Sequence, residues 1–160
     1  MNSNHNIWNE IVDKLNYKNL TISTMESCTG GGVANEITNI PGASSVFKIS
    51  YITYSNEAKI NLGVSAEVIA NYTVYSAETA IEMAKAAKAQ ANSDIGIGIT
   101  GQLGRLDPEN PVDKLNSVWF AIIDSNNKVI VKQIIAPEAI RRVQKIAVIN
   151  EVAKVLNECI

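Results

Sequence analysis

The chain is predicted to fold as an α/β protein, with helices layered on a mixed, mainly parallel sheet of about five strands. Three observations carry that expectation. Helical apolar spacing alternates with short β-branched runs along the whole 160-residue chain. Each of the first three strand-like runs is separated from the next by helical segments, the connection that parallel strands require. The last two runs, "SVWFAIID" and "KVIVKQIIA", are joined by "SNN", a hairpin signal, and should pair antiparallel.

The elements follow in order. A polar tail over residues 1–5 is expected to fray. A first helix covers about 6–16, with Ile7, Trp8, Ile11, Val12 and Leu15 on one face. The strand "LTISTM" leads into a glycine-rich loop, "ESCTGGG", and a helix over about 31–39 that "NIPG" ends. The second strand is "SVFKISYITY", about 45–54. Ser55 then reads as the N-cap of a short helix ending at Gly63, Ser65 as the cap of "AEVIANY", and Ser76 as the cap of a helix over 77–91. In that helix Ala80, Ala84, Ala87 and Ala91 recur at helical spacing, a surface suited to close packing against a sheet. "DIGIGIT" reads as a buried strand ending at Thr100, followed by a long loop over about 101–116.

The last helix, about 138–158, carries two apolar stripes: Ile140, Val143 and Ala147, and Val148, Val152 and Val155. That width fits a helix packed on more than one side, with a subunit interface as the alternative. No repeat, low-complexity tract or linker interrupts the sequence, so 1–160 reads as a single domain.

Composition excludes several function classes. With 46% apolar and 19% charged residues the chain can bury a core without disulfide staples. A formal net charge of -2 with no basic stripe argues against a nucleic-acid partner. Cys28 and Cys159 form neither a metal pair nor a disulfide framework, which fits a reducing cytoplasm. The amino terminus lacks a signal-peptide pattern and no apolar run is long enough to span a bilayer, so no membrane partner is expected. The single histidine, His5, lies in the polar tail. Ser-His-Asp, Cys-His and two-histidine zinc machinery therefore lack their parts, and acid–base chemistry falls to lysine, tyrosine or a carboxylate.

If the first three strands are parallel, their following loops meet at one edge of the sheet, where open α/β sheets bind ligands. The first loop brings Glu26, Ser27, Cys28, Thr29 and Gly30, the second Tyr54, Ser55, Asn56 and Lys59, and the third Thr100, Gly101 and Gly104. Ser27 is a candidate nucleophile, Lys59 its base if burial keeps the amine neutral, and Tyr54 a proton relay or a holder of the leaving group. Backbone amides at the start of the 31–39 helix are candidates for holding a phosphate or an oxyanion. On spacing alone, plainer readings stand beside these: Ser27 as a turn residue, Tyr54 as a strand end, Lys59 as a solvated lysine, and Cys28 as a rival nucleophile or an inert buried thiol. "DPENPVD" has three carboxylates without calcium or magnesium spacing and reads as a solvated acidic loop.

"ESCTGG" after the first strand, "TYSNEAK" followed by "LGV" after the second, and "TG" after the third resemble the C-terminal domain of the competence/damage-inducible protein CinA. "NIPGASSVF" and the "IR" at Ile140-Arg141 fit the same pattern, and the resemblance runs from about Ile7 to Leu156. That family includes stand-alone nicotinamide-nucleotide amidohydrolases. The resemblance implies a three-layer α/β/α sandwich and hydrolysis of the carboxamide of nicotinamide mononucleotide to nicotinate mononucleotide and ammonia. It implies a Ser27 nucleophile assisted by Tyr54 and Lys59, with no metal or other cofactor. Residues expected around the small-molecule nucleotide are Thr29, Gly30, Gly31, Asn56, Thr100, Gly101, Arg105 and Arg141. A homo-oligomer is expected as well.

The chain departs from the family in one loop. Where the family usually reads "TG-x-AGP-x-GG" and then "KPVGTVW", this chain reads "TGQLGRLDPENPVDKLNSVWF". An arginine usual a few residues before the "IR" is also absent. The rebuilt loop leaves two alternatives open: a catalytically silent nucleotide-binding paralogue, and an amidase for another small amide in which Arg105 reads an anionic group.

Overall fold

A computed structural model describes residues 6–110 and 114–160. The tail at 1–5, with His5, lies outside the described residues. Helix α1 (Ile7–Lys18) starts at Asn6, whose side chain accepts a hydrogen bond from the Trp8 amide, and it buries Trp8, Ile11, Val12 and Leu15. Strand β1 (Ile22–Glu26) is buried along its whole length. It is followed by α2 (Gly32–Thr38), a 3-10 turn at Ala43–Ser45, and β2 (Phe47–Ile52). Ser55, Ser65 and Ser76 each cap a helix through the side-chain oxygen: α3 (Asn56–Asn61), α4 (Ala66–Tyr72) and α5 (Ala77–Ala91). Strands β3 (Ile95–Gly101), β4 (Ser117–Ile123) and β5 (Val129–Ile135) precede the last helix, α6 (Arg141–Cys159).

The sheet order is β2-β1-β3-β4-β5. Strand β1 pairs parallel with both β2 and β3, and the sheet turns antiparallel from β3 through β4 to β5. Alternate β3 side chains go to opposite layers. Ile95, Ile97 and Ile99 join the main core with Ile11, Val33, Phe120 and Val152, under α1, α2 and α6. Gly96 and Gly98 face α5. A methyl group on Gly98 would sit 2.2 Å from the Ala80 carbonyl oxygen and 2.4 Å from the Ala84 nitrogen. The small faces of β3 and α5 therefore match, glycine against alanine, and the helix lies directly on the strand backbone. Helices α4 and α5 complete the third layer, with Met83 of α5 packed on Met25 of β1.

Helix α6 departs from the fully packed helix that its two stripes favoured. Val148, Val152 and Val155 are buried, but Ile140 is 72% exposed, Val143 44% and Ile146 48%. The stripe begun by Ile140 and Val143 has no covering element among the described residues.

Because α2 and α5 lie on opposite faces of the sheet, the carboxyl ends of β1 and β3 are left uncovered between them. That gap is the crevice that ligands use in open α/β sheets.

Candidate active site

The backbone of the first loop continues the sheet for one more residue. The Ser27 amide donates to the Ile99 carbonyl at 3.1 Å, and the Thr53 amide donates to the Glu26 carbonyl at 2.9 Å. Ser27 is therefore fixed at the carboxyl end of β1, between β2 and β3. Lys59, on α3, comes to it from the neighbouring loop. The Lys59 Nζ lies 3.3 Å from the Ser27 Oγ and donates to the Thr53 carbonyl at 2.7 Å. This lysine is 1% exposed, and no carboxylate among the described residues forms an ion pair with it. Burial without a counter-charge disfavours the ammonium and pulls its pKa down from 10.5 to about 8. A substantial fraction of the amine is thus neutral near physiological pH, while one N–H stays on Thr53.

The adjacent thiol is in a different state. Burial pushes the Cys28 thiol up to about 12, against the smaller opposing influence of Arg141. At neutral pH it remains an S–H, a weak nucleophile.

Glu26, the residue before Ser27, is fully buried and holds the loop in shape. Its carboxylate accepts from the Thr29 hydroxyl at 2.6 Å and from the Val33 and Ala34 amides at 3.1 and 2.9 Å. A carboxylate at a helix amino end is the favoured charge arrangement there. The Gly32 amide is engaged by the Thr29 carbonyl and the Gly30 amide by the Ser27 carbonyl. This corrects one expectation. The start of α2 has its amides already occupied by Glu26 and loop carbonyls, and Thr29, Gly30 and Gly31 do not line the cleft. Gly31 serves geometry instead, with φ at 89° and the Ile52 side chain against it.

The cleft beside Ser27 has a volume of about 600 Å³, in the range of small-molecule sites. Ser27, Tyr54, Asn56, Lys59, Arg105 and Arg141 all line it, as does Gly101. Gly101 allows β4 to approach, since a methyl group there would meet the Ser117 oxygen and the Val118 Cα at 2.6 Å. Thr100 is not on the lining. It is buried and its hydroxyl donates to the Val74 carbonyl at 2.8 Å, tying β3 to the turn before α5. Tyr54 sits at the rim, 65% exposed, and its hydroxyl accepts from the Arg141 Nη2 at 2.8 Å instead of bonding to Ser27 or Lys59. The other arm of Arg141 donates to the Leu103 carbonyl. One guanidinium thus links the second loop, the third loop and the start of α6.

Asp107, the first carboxylate of the acidic segment, is tied to the cleft, while Glu109 is exposed as expected of a solvated loop. Asp107 accepts from the Tyr75 hydroxyl at 3.0 Å, from the Asn110 side chain at 2.9 Å and from the Glu109 amide at 3.0 Å. The Asn110 contact, with these others, holds the Asp107 carboxyl below the usual carboxylate range. Burial, reinforced by Asp107, pushes the Tyr75 phenol up to about 12, so it remains a donor. Asp113, the third carboxylate of this segment, lies outside the described residues. Tyr75 and Gln102 are cleft residues that sequence reasoning missed. Tyr75 carries no spacing signal, and Gln102 stands at a position the family pattern leaves free. Among the described residues no group of three or more His, Cys, Asp or Glu side chains is placed to hold a metal ion. No helix among them is long and apolar enough to cross a membrane.

Comparison with known proteins identifies the family and the fold. The family model of the CinA C-terminal domain matches residues 4–160. A putative competence-damage inducible protein of Alkaliphilus metalliredigens is 42% identical over 137 residues, 85% of this chain and 33% of that protein. Its counterpart in Thermoanaerobacter pseudethanolicus is 46% identical over 129 residues, 78% of this chain and 30% of that protein. The chain therefore spans about a third of the length of these curated relatives. Among solved structures, the competence/damage inducible protein CihA from Agrobacterium tumefaciens superposes with a TM-score of 0.87 at 28% identity, covering 96% of this chain and 93% of that one. The competence damage-inducible protein A from Klebsiella pneumoniae gives 0.86 at 28% identity, covering 98% and 96%. With a match along nearly its whole length, the chain belongs to the CinA C-terminal domain family.

Proposed function

We propose that the protein is an amidohydrolase that deamidates nicotinamide mononucleotide to nicotinate mononucleotide and ammonia. The observation that carries this reading is the contact at 3.3 Å between Ser27 and a buried lysine that has no counter-charge among the described residues. A serine hydroxyl is a weak nucleophile until a base takes its proton, and neutral Lys59 is that base. The Ser27 Oγ bonds to the carboxamide carbon as its proton passes to the Lys59 Nζ. The tetrahedral intermediate then collapses, the C–N bond breaks, and the nitrogen leaves as ammonia with the proton from Lys59. Water, deprotonated in turn by Lys59, attacks the resulting ester. The C–O bond to Ser27 breaks, the acid is released and Ser27 recovers its proton. Tyr54 assists by holding Arg141, and Arg141 with Arg105 supplies positive charge at the cleft wall for the substrate phosphate.

The assay is ammonia release from nicotinamide mononucleotide by the purified chain. Ser27→Ala is expected to lower kcat by roughly 10³-fold or more, with Cys28→Ala retaining most of it. The opposite ranking would move the nucleophile to Cys28. Saturable nucleotide binding by folded wild-type protein without any ammonia would make it a binding protein.

A further inference from the structure

Gln102 is 4% exposed, and neither its Oε1 nor its Nε2 has a hydrogen-bond partner among the described residues. Its backbone is fixed on both sides. The Gln102 amide donates to the Ser117 carbonyl at 3.0 Å, and the next carbonyl, that of Leu103, is held by Arg141. Two other buried side chains have an unpartnered atom, Thr53 and Gln144, but neither lines the cleft. Gln144 also has its amide nitrogen on the Pro137 carbonyl. Gln102 lines the same cleft as Ser27 and Lys59, and both ends of its amide are unused and shielded from solvent, so a ligand in the cleft meets them once the side chain turns outward. A buried amide left this way is costly, and a ligand offering matching groups relieves that cost.

The amide presents donors and an acceptor side by side. Its complement is a ligand group of the same kind, above all another primary carboxamide, which can pair with it through two hydrogen bonds. A carboxylate only accepts: it can take a bond from the Nε2 but confronts the Oε1 with its own lone pairs. We propose that Gln102 determines specificity by reading the carboxamide of the substrate, so that the cleft holds the amide and rejects the corresponding acid. The inference rests on the amidohydrolase reading and adds to it a preference for substrate over product. Contacts to the phosphate, such as those of Arg105 and Arg141, are common to amide and acid and cancel in their ratio.

Calorimetric titration of the Ser27→Ala chain with nicotinamide mononucleotide and with nicotinate mononucleotide tests this without turnover. The amide is expected to bind about tenfold tighter or more, since a site built around hydrogen bonds penalises a ligand that leaves them unmade. Adding Gln102→Met should bring the two affinities to within about twofold. A merely structural glutamine would behave differently in the absence of ligand. Gln102→Met is expected to keep or raise the Tm, because it removes an unpaired buried amide at similar volume. An amide-to-acid ratio unchanged by Gln102→Met, or a Tm lowered by several degrees, overturns the inference. If wild type releases ammonia while the ratio is unchanged, Gln102 loses its role and the amidohydrolase reading stands. If wild type releases none while Gln102→Met abolishes an amide preference, the amidohydrolase reading falls and the role of Gln102 stands. If neither nucleotide binds and no ammonia appears, both fall.

Discussion

At the scale of single residues, the site depends on a lysine kept out of water. In the proposed reaction Lys59 serves as a base only in its neutral form, and burial brings that form within reach by lowering its pKa to about 8. The expected consequence is a kcat/KM that rises with pH and levels off above a pKa near 8, measured as ammonia release from pH 6 to 9.5. Replacing Lys59 with methionine should lower the rate by about 10²–10⁴-fold and remove that ascending limb. The meeting of Ser27 with Lys59 was legible through the family resemblance that "ESCTGG" and "YSNEAK" carry, whereas spacing alone left plainer readings beside it. The partners of Tyr54 and Glu26 were not legible. Tyr54 bonds to a guanidinium 87 positions away, and Glu26 looks like one more polar residue of a loop until its carboxylate is seen on the Val33 and Ala34 amides. The sequence shows which residues are near the nucleophile but not which hydrogen bonds they have already made.

At the scale of elements, the serine caps of α3, α4 and α5 were legible because N-capping is a short-range contact with a strict residue preference. The hairpin of β4 and β5 and the parallel run of early strands were legible for the same kind of reason. The outward stripe of α6 was not, since helical spacing reports which residues share a face but not whether another element covers it. The fit between β3 and α5 has a testable consequence. Gly98→Ala would place a methyl group 2.2 Å from the Ala80 carbonyl oxygen, backbone against backbone, where no rotamer change can relieve it. Its expected cost is about 3 kcal/mol or more, read from urea unfolding. The exposed Gly30, where an added methyl group would meet only the flexible end of Lys145, should show mainly the smaller penalty of its positive φ.

At the scale of the whole molecule, the buried lysine links function to stability. Well below pH 8 Lys59 is protonated in both folded and unfolded chains, and well above pH 10.5 it is neutral in both. Between those limits the unfolded chain holds the proton and the folded chain does not, so folding stability rises with pH. The contribution is about 3 kcal/mol. It is read as the gain in unfolding free energy of wild type relative to Lys59→Met from pH 8 to 10.5, and a flat difference would contradict it. The overall layering could be anticipated because alternating elements leave few ways to cover a sheet. The wall of the cleft could not, because it is held by a contact between distant parts of the chain. Arg141 stands 38 residues after Leu103 and 87 after Tyr54, its two partners. During synthesis, Ser27 and Lys59 leave the ribosome long before that arginine does. Ser27 and Lys59 are therefore made well before the residue that completes their enclosure, and the cleft wall is finished only once the last helix has docked.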